Sequence, residues 1–197
     1  MALGGWRRQQ LEMATQITVL LTSGRSVTGT FDHGEERLSD ALNGSLASVL
    51  RIANATLGRF GNPAANEPVA VAIVPKNQAA LVIARDTERR TNDKRMYSYV
   101  PKTTSELLVL LAGLRIRGRA HTSAPLDDVE LRRQLSEARD RFIVLTDAWL
   151  AFDVEGTTER PVGVVMLNVR HIQFVATLPS VATETDGPAP AVAVPTA

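Results

Sequence analysis

The feature that most constrains the fold is an internal similarity between two parts of the chain. Residues 17–29 resemble residues 107–118, and from Leu38 onward the two parts match at a constant spacing of 93 residues. At that spacing, Leu38 and Leu42 match Leu131 and Leu135. Self-similarity over segments of this size indicates tandem structural units. We therefore predict a duplication, with a first repeat at residues 17–84 and a second at residues 107–178.

Each repeat is predicted to begin with a β-hairpin. Short β-branched runs flank Ser23-Gly24 in the first repeat and Ala112-Gly113 in the second, a pattern typical of tight turns between strands. After the second turn, Leu114, Ile116 and Gly118 alternate with arginines at 115, 117 and 119. Strict alternation predicts that one face of this strand is buried and that the arginines lie in solvent.

A short helix is predicted after each hairpin. In the first repeat it covers residues 35–43, and Gly44 ends it. In the second repeat, Asp127 precedes Glu130 by three residues, as in a capping box. Apolar residues then follow at helical spacing: Leu131, Leu135, Ala138 and Phe142.

The last strands of each repeat are predicted from proline-led apolar runs. An eleven-residue loop ends at Pro68 in the first repeat and at Pro161 in the second, and the runs occupy residues 69–74 and 162–167. Continuous apolar runs indicate burial on both faces, inside a small barrel or at a subunit seam. The predicted fold is mainly β, with two duplicated small β-barrel-like domains that each carry one short helix after the first hairpin.

Three further segments flank or join the repeats. Residues 1–16 are predicted to be an N-terminal arm or short helix. Residues 85–106 are predicted to be a charged linker, because residues 85–102 hold six basic and three acidic side chains. Residues 179–197 form a Pro/Ala-rich tail without an apolar pattern, so we expect disorder there.

Composition narrows the function classes. Hydrophobic residues make up 44% of the 197 residues and charged residues 22%, which is typical of globular proteins. The absence of cysteine excludes disulfides, thiolate zinc sites, Fe–S clusters and a cysteine nucleophile. No apolar run approaches the roughly 20 residues of a membrane span, and residues 1–16 lack the apolar core of a signal peptide. We expect a soluble, cytoplasmic protein with no membrane association.

Catalytic patterns are not found in the sequence. It contains no phosphate-binding loop, dinucleotide fingerprint or nucleophile elbow. His33, His121 and His171 are isolated in the sequence, and none has a second histidine at i+2 to i+4. We predict a protein that is not an enzyme and uses neither a metal nor a cofactor.

The order of elements in each repeat resembles the Sm-like small β-barrel family. Residues 165–175, an apolar strand followed by a basic turn and another strand, are similar to the second motif of that family. The resemblance implies RNA-contacting groups in two turns of each repeat: Asp40, Asn43, Lys76 and Asn77 in the first, and Asn168, Arg170 and His171 in the second. It also implies assembly through edge strands, with one duplicated chain supplying two ring positions. Separately, residues 37–43 resemble uncharacterised bacterial domains with an RLSD-x-LN signature, which implies no activity.

Two functions follow as expectations. The first is a non-catalytic scaffold or regulatory interaction module that self-associates through β-strand edges, as a homo-oligomer or with a protein partner. Within it, the helix bearing Arg37 and Asp40 is predicted to contact the counterpart bearing Glu130 and Arg133, since the charge signs reverse between repeats.

The alternative is binding of RNA or single-stranded nucleic acid. The linker combines cations with aromatic rings, the groups that contact phosphates and stack on bases. The residues are Arg89, Arg90, Lys94, Arg95, Tyr97 and Tyr99.

Overall fold

The computed structural model describes residues 14–44, 47–85, 102–124, 126–137, 142–154 and 156–179. The first half contains β1 (Ala14–Leu21), β2 (Arg25–Asp32), α1 (Leu38–Asn43), β3 (Val49–Arg59), β4 (Asn62–Pro75) and β5 (Ala79–Ala84). The second half contains β6 (Thr103–Leu111), β7 (Leu114–Thr122), α2 (Asp128–Glu137), β8 (Phe142–Phe152), β9 (Arg160–Asn168) and β10 (Ile172–Thr177). Single 3-10 turns, Lys76–Gln78 and Val169–His171, precede β5 and β10.

The ten strands of the described residues form one antiparallel sheet, which confirms the prediction of a mainly β fold. A short helix follows the first hairpin of each half, but the predicted pair of barrel-like domains is not confirmed. The strand order is β10-β6-β7-β8-β9-β5-β1-β2-β3-β4, and the sheet is not closed. Each half thus places its fifth strand beside its first. The halves join where β5 pairs with β9, from Leu81↔Leu167 to Ala84↔Val164. We call this β5–β9 pair the seam.

Both predicted hairpins are present. Ala112 and Gly113 have φ values of 52° and 75°, the left-handed pair that a two-residue turn between twisted strands requires. In β7, Leu114, Ile116 and Gly118 are buried and the intervening arginines are exposed. The alternation in the sequence therefore identified the faces of this strand.

The helices differ from the prediction at their ends. α1 begins at Leu38 rather than at residue 35, and Gly44, which follows it, has an extended backbone. In α2 the backbone N–H of Glu130 donates to Asp127 Oδ1 at 2.8 Å, so the predicted cap is confirmed. The assignment of Phe142 to this helix is wrong, because Phe142 is the first residue of β8 and pairs with Asn168.

The predicted eleven-residue loops are also wrong. In the first half, β3 and β4 continue through most of that segment and meet at a tight turn, with Arg59 paired to Asn62. In the second half, β8 extends to Phe152 and β9 begins at Arg160. Backbone pairing between adjacent strands extends them through polar sequence that carries no strand pattern of its own. β1 and β6 likewise begin before the predicted repeat boundaries, at Ala14 and Thr103.

Two hydrophobic cores lie in the two halves and share the seam. Every residue of β5 is buried. Val82 and Ala84 pack into the core of the first half, whereas Leu81 and Ile83 pack into that of the second. Of the two apolar runs predicted to be buried on both faces, the one in β9 is buried from Val165 to Leu167, whereas in the one in β4 only Val74 is buried. Within the described ranges, no helix is long and apolar enough to cross a membrane.

Candidate functional site

A cavity of about 580 Å³ lies at one end of the seam. It is bounded by the end of α1, the 3-10 turn before β5 and the 3-10 turn before β10. We call it the seam cavity. Five of the predicted binding residues line it, from both halves: Asn43, Lys76, Asn77, Asn168 and Arg170. The fold thus gathers side chains that are up to 127 positions apart in the sequence.

Lys76 stabilises the end of α1. Its Nζ donates to the backbone oxygens of Ala41 at 3.1 Å and Gly44 at 2.9 Å. The last carbonyls of a helix have no partner within the helix, so a lysine here satisfies them. Burial lowers the pKa of Lys76, and the nearby Glu36 carboxylate opposes that shift. The two backbone oxygens therefore hold the Lys76 ammonium group in place.

Asn43 fastens α1 to the second half. Its Nδ2 donates to the backbone oxygen of Phe142 at 3.0 Å, and the backbone N–H of Phe142 donates to its Oδ1 at 2.7 Å. The amide therefore pairs with the start of β8 as a neighbouring strand would. This contact places α1 at the junction of the two halves.

Asn168 is buried, with 1% of its surface exposed. Its Nδ2 donates to the backbone oxygens of Lys76 at 3.1 Å and Ala79 at 3.0 Å, and its Oδ1 accepts from the backbone N–H of Arg170 at 3.1 Å. These bonds join the two 3-10 turns across the seam. Its amide group is fully committed to the fold.

The exposed part of the seam cavity contains Asn77 and Arg170. His171 adjoins it, because its Nε2 lies 2.8 Å from the backbone oxygen of Asn77. Amide, guanidinium and lysine groups can donate hydrogen bonds to a ligand's oxygen atoms. The geometry suits binding of a ligand rich in hydrogen-bond acceptors.

The remaining predicted site residues lie elsewhere. Arg37, the residue before α1, and Asp40 within α1 are exposed and lie outside the cavity lining. On α2, Arg133 Nη2 contacts Glu130 Oε1 at 2.6 Å within the same helix. Hydrogen bonds from Arg133 and Gln134 lower the pKa of Glu130 to about 2. The predicted contact between the Arg37/Asp40 pair and the Glu130/Arg133 pair stays a prediction.

The six linker residues predicted to bind nucleic acid, at positions 89–99, lie outside the described residues. Within the described part of the chain, no three His, Asp or Glu side chains are grouped closely enough to hold a metal ion.

The two edge strands of the sheet expose apolar side chains that were not predicted as binding residues from the sequence. Val71 and Ile73 of β4 are 42% and 58% exposed, and Phe174 of β10 is 49% exposed. Among the described residues, β4 and β10 each pair with a strand on one side only. An exposed apolar edge strand presents unpaired N–H and C=O groups that can bind another strand.

Scans against protein-family models, curated proteins and solved structures found no match to this chain.

Proposed function

We propose that the chain is a non-catalytic scaffold or regulatory interaction module that self-associates head to tail through its exposed strand edges, as tandem Sm-like domains would. Each half is the unit of the proposed duplication, and β10 of one chain pairs with β4 of the next. The observation that carries this proposal is the seam, where a fifth strand pairs with a fourth strand. The two edge strands, β10 and β4, are the remaining fifth and fourth strands.

The seam supplies a register for the contact between chains. A spacing of 93 residues relates β5 to β10, and residues 164–167 to residues 71–74. Transferring the four seam pairs by that spacing predicts Phe174↔Val74, Val175↔Ile73, Ala176↔Ala72 and Thr177↔Val71. The three prolines of β4, Pro63, Pro68 and Pro75, lie outside this stretch, so its backbone N–H groups are available.

Burial supports the same pairing. Met166 and Leu81 at the seam are 1% and 0% exposed, whereas their counterparts Ile73 and Phe174 are among the most exposed apolar residues. Burying such side chains stabilises an assembly by about 25 cal/mol per Å² of apolar surface. A second chain therefore has an energetic reason to cover these edges.

Cysteine cross-linking tests the register, because the chain has no native cysteine. We expect Ile73→Cys combined with Val175→Cys to form disulfides between chains under mild oxidation, since directly opposed residues have Cβ atoms about 5 Å apart. The readout is the ladder of covalent multimers on a non-reducing gel.

The matched control is Val71→Cys with Val175→Cys. It shifts one thiol by two residues, about 7 Å along the strand, and should cross-link far less. Equal cross-linking of the two variants would contradict the register. A strict monomer of the unmodified chain at high micromolar concentration, measured by light scattering, would contradict self-association itself.

The alternative function is binding of RNA or single-stranded nucleic acid, and the seam cavity is the observation that favours it. It brings together the turn residues expected to contact RNA, while the basic linker would add phosphate contacts. We expect fluorescence anisotropy to detect binding of random-sequence RNA, with log K falling linearly as log salt rises.

Two variants separate the contributions to RNA binding. Replacing the linker residues Arg89, Arg90, Lys94 and Arg95 by Gln should weaken RNA binding and reduce the slope of log K against log salt. The second variant, Arg170→Gln with Asn77→Ala in the seam cavity, should weaken RNA binding while the charge of the linker stays constant. Arg132→Gln, a change on the exposed face of α2, is the control and should leave affinity unchanged. No anisotropy change at low salt would exclude this alternative.

A further inference from the structure

A second cavity, of about 210 Å³, opens where the β3–β4 turn of the first half meets the start of β9 in the second. Arg59, Arg85 and Arg160 line it, and we call it the arginine cavity. These residues end β3, follow β5 and begin β9, respectively. Their convergence is a property of the tertiary structure alone.

Aromatic packing between the halves positions two of these arginines. Phe60 meets Phe152 edge to face, with ring centroids 6.2 Å apart. Gly61 has a φ of +82°, and a Cβ there would lie 2.6 Å from the Phe152 ring, so the close approach requires glycine. The Arg160 guanidinium carbon lies 5.2 Å from the centroid of the Phe60 ring, a cation–π contact that holds Arg160 near Arg59.

The lining of the arginine cavity supplies no negative charge to compensate its three arginines. Its lining residues include no Asp or Glu. On β7, by contrast, Arg115, Arg117 and Arg119 each contact a carboxylate, at 3.6, 2.6 and 3.3 Å. Within the described ranges, no ion pair is found for Arg59, Arg85 or Arg160. Clustered guanidinium groups of this kind attract an anion.

Hydroxyl groups from neighbouring strands also line the cavity. Thr18 and Ser26 are buried, and Thr18 Oγ1 lies 3.0 Å from Thr28 Oγ1 across the β1–β2 pair. Hydroxyl protons rotate to suit a partner, so these groups can donate to oxygen atoms of a bound anion. Guanidinium forks and hydroxyls together match the tetrahedral oxygens of phosphate.

We propose that the arginine cavity binds a phosphate group, either from a small phosphorylated compound or from a nucleic-acid backbone. Its volume is below the roughly 300–1,000 Å³ of cavities that enclose whole drug-sized ligands. It therefore accommodates the phosphate or pyrophosphate portion and leaves the rest of the ligand outside. This site is distinct from the seam cavity and does not depend on self-association.

Isothermal titration of the full chain with inorganic pyrophosphate at low salt tests the proposal. We expect saturable binding at one site per chain. Arg59→Gln with Arg160→Gln should weaken it about tenfold or more, because each hydrogen bond to a charged group contributes appreciably to affinity. Arg85→Gln, which removes a cation without disturbing the Phe60 contact, should also weaken it.

The matched control is Arg115→Gln with Arg117→Gln, which removes two exposed arginines that are already ion-paired. Its affinity for pyrophosphate should equal that of the unmodified chain. No saturable binding to the unmodified chain, or equal weakening in the control, would overturn the proposal.

A competition arm identifies the source of the phosphate. If a short oligothymidylate displaces pyrophosphate and loses affinity in the same variants, the cavity takes a nucleic-acid backbone phosphate. If pyrophosphate binds and the oligonucleotide does not displace it, the cavity takes a small phosphorylated compound.

Discussion

At the scale of single residues, Asn168 is the side chain on which the seam depends most. Its amide satisfies two backbone oxygens and one backbone N–H, and only 1% of the residue's surface is exposed. Truncation leaves these groups without partners, and each buried unsatisfied group costs about 1–3 kcal/mol. We predict that Asn168→Ala lowers the free energy of unfolding by about 3 kcal/mol or more, measured by urea denaturation.

Asn77 provides the matched control for this substitution. It lies in the same cavity lining but is exposed, so Asn77→Ala should change stability by less than about 0.5 kcal/mol. Similar losses in the two variants would show that the Asn168 amide is not specifically required.

At the scale of elements, a glycine in the second strand of each half lets that strand lie against the next one where the pairing register shifts. The shifts fall between Thr28 and Thr30 and between Arg117 and Arg119. A Cβ on Gly29 would lie 2.7 Å from the backbone oxygen of Ala53, whereas one on Gly118 would lie no closer than 3.1 Å to any neighbour. Overpacking of this kind typically costs about 1–3 kcal/mol.

We therefore predict that Gly29→Ala destabilises the chain by about 1–3 kcal/mol and that Gly118→Ala costs less. The difference in stability between the two variants is measured by their urea-unfolding midpoints, provided that the slope of the unfolding free energy against urea concentration is unchanged. Gly118→Ala is the control, because it adds the same methyl group at the corresponding position. Equal midpoints would mean that the first half can move its backbone to accept the methyl group.

At the scale of the whole molecule, the two exposed edges are different surfaces, so a contact between them is head to tail. Such contacts close into a ring if the rotation per chain divides a full turn, and otherwise grow into a filament. In the cross-linking experiment with Ile73→Cys and Val175→Cys, a ring gives a ladder that stops at one size, and a filament gives a ladder without an upper limit. Either result agrees with edge pairing.

Several local features of the structure were predicted correctly from the sequence alone. Alternation in β7, the turns at Ser23-Gly24 and Ala112-Gly113, and the cap at Asp127 depend on contacts within a few residues, which is why pattern and propensity identified them. The apolar run at residues 162–167 also predicted burial, and residues 165–167 are buried. The predicted strand ends were less accurate. Pairing with a neighbouring strand extends β3 and β4 through polar sequence and makes Phe142 the first residue of β8.

Which side chains of these elements meet, and which stay exposed, depends on the tertiary structure. Asn43, Lys76 and Asn168 were predicted as binding residues, but their hydrogen bonds to backbone groups of other elements show that they also hold the seam together. The cluster of Arg59, Arg85 and Arg160, and the exposure of Ile73 and Phe174, follow from which strands become neighbours and which are left at the edges. Such pairings are set by the summed packing of both halves, and no local stretch of sequence contains that information.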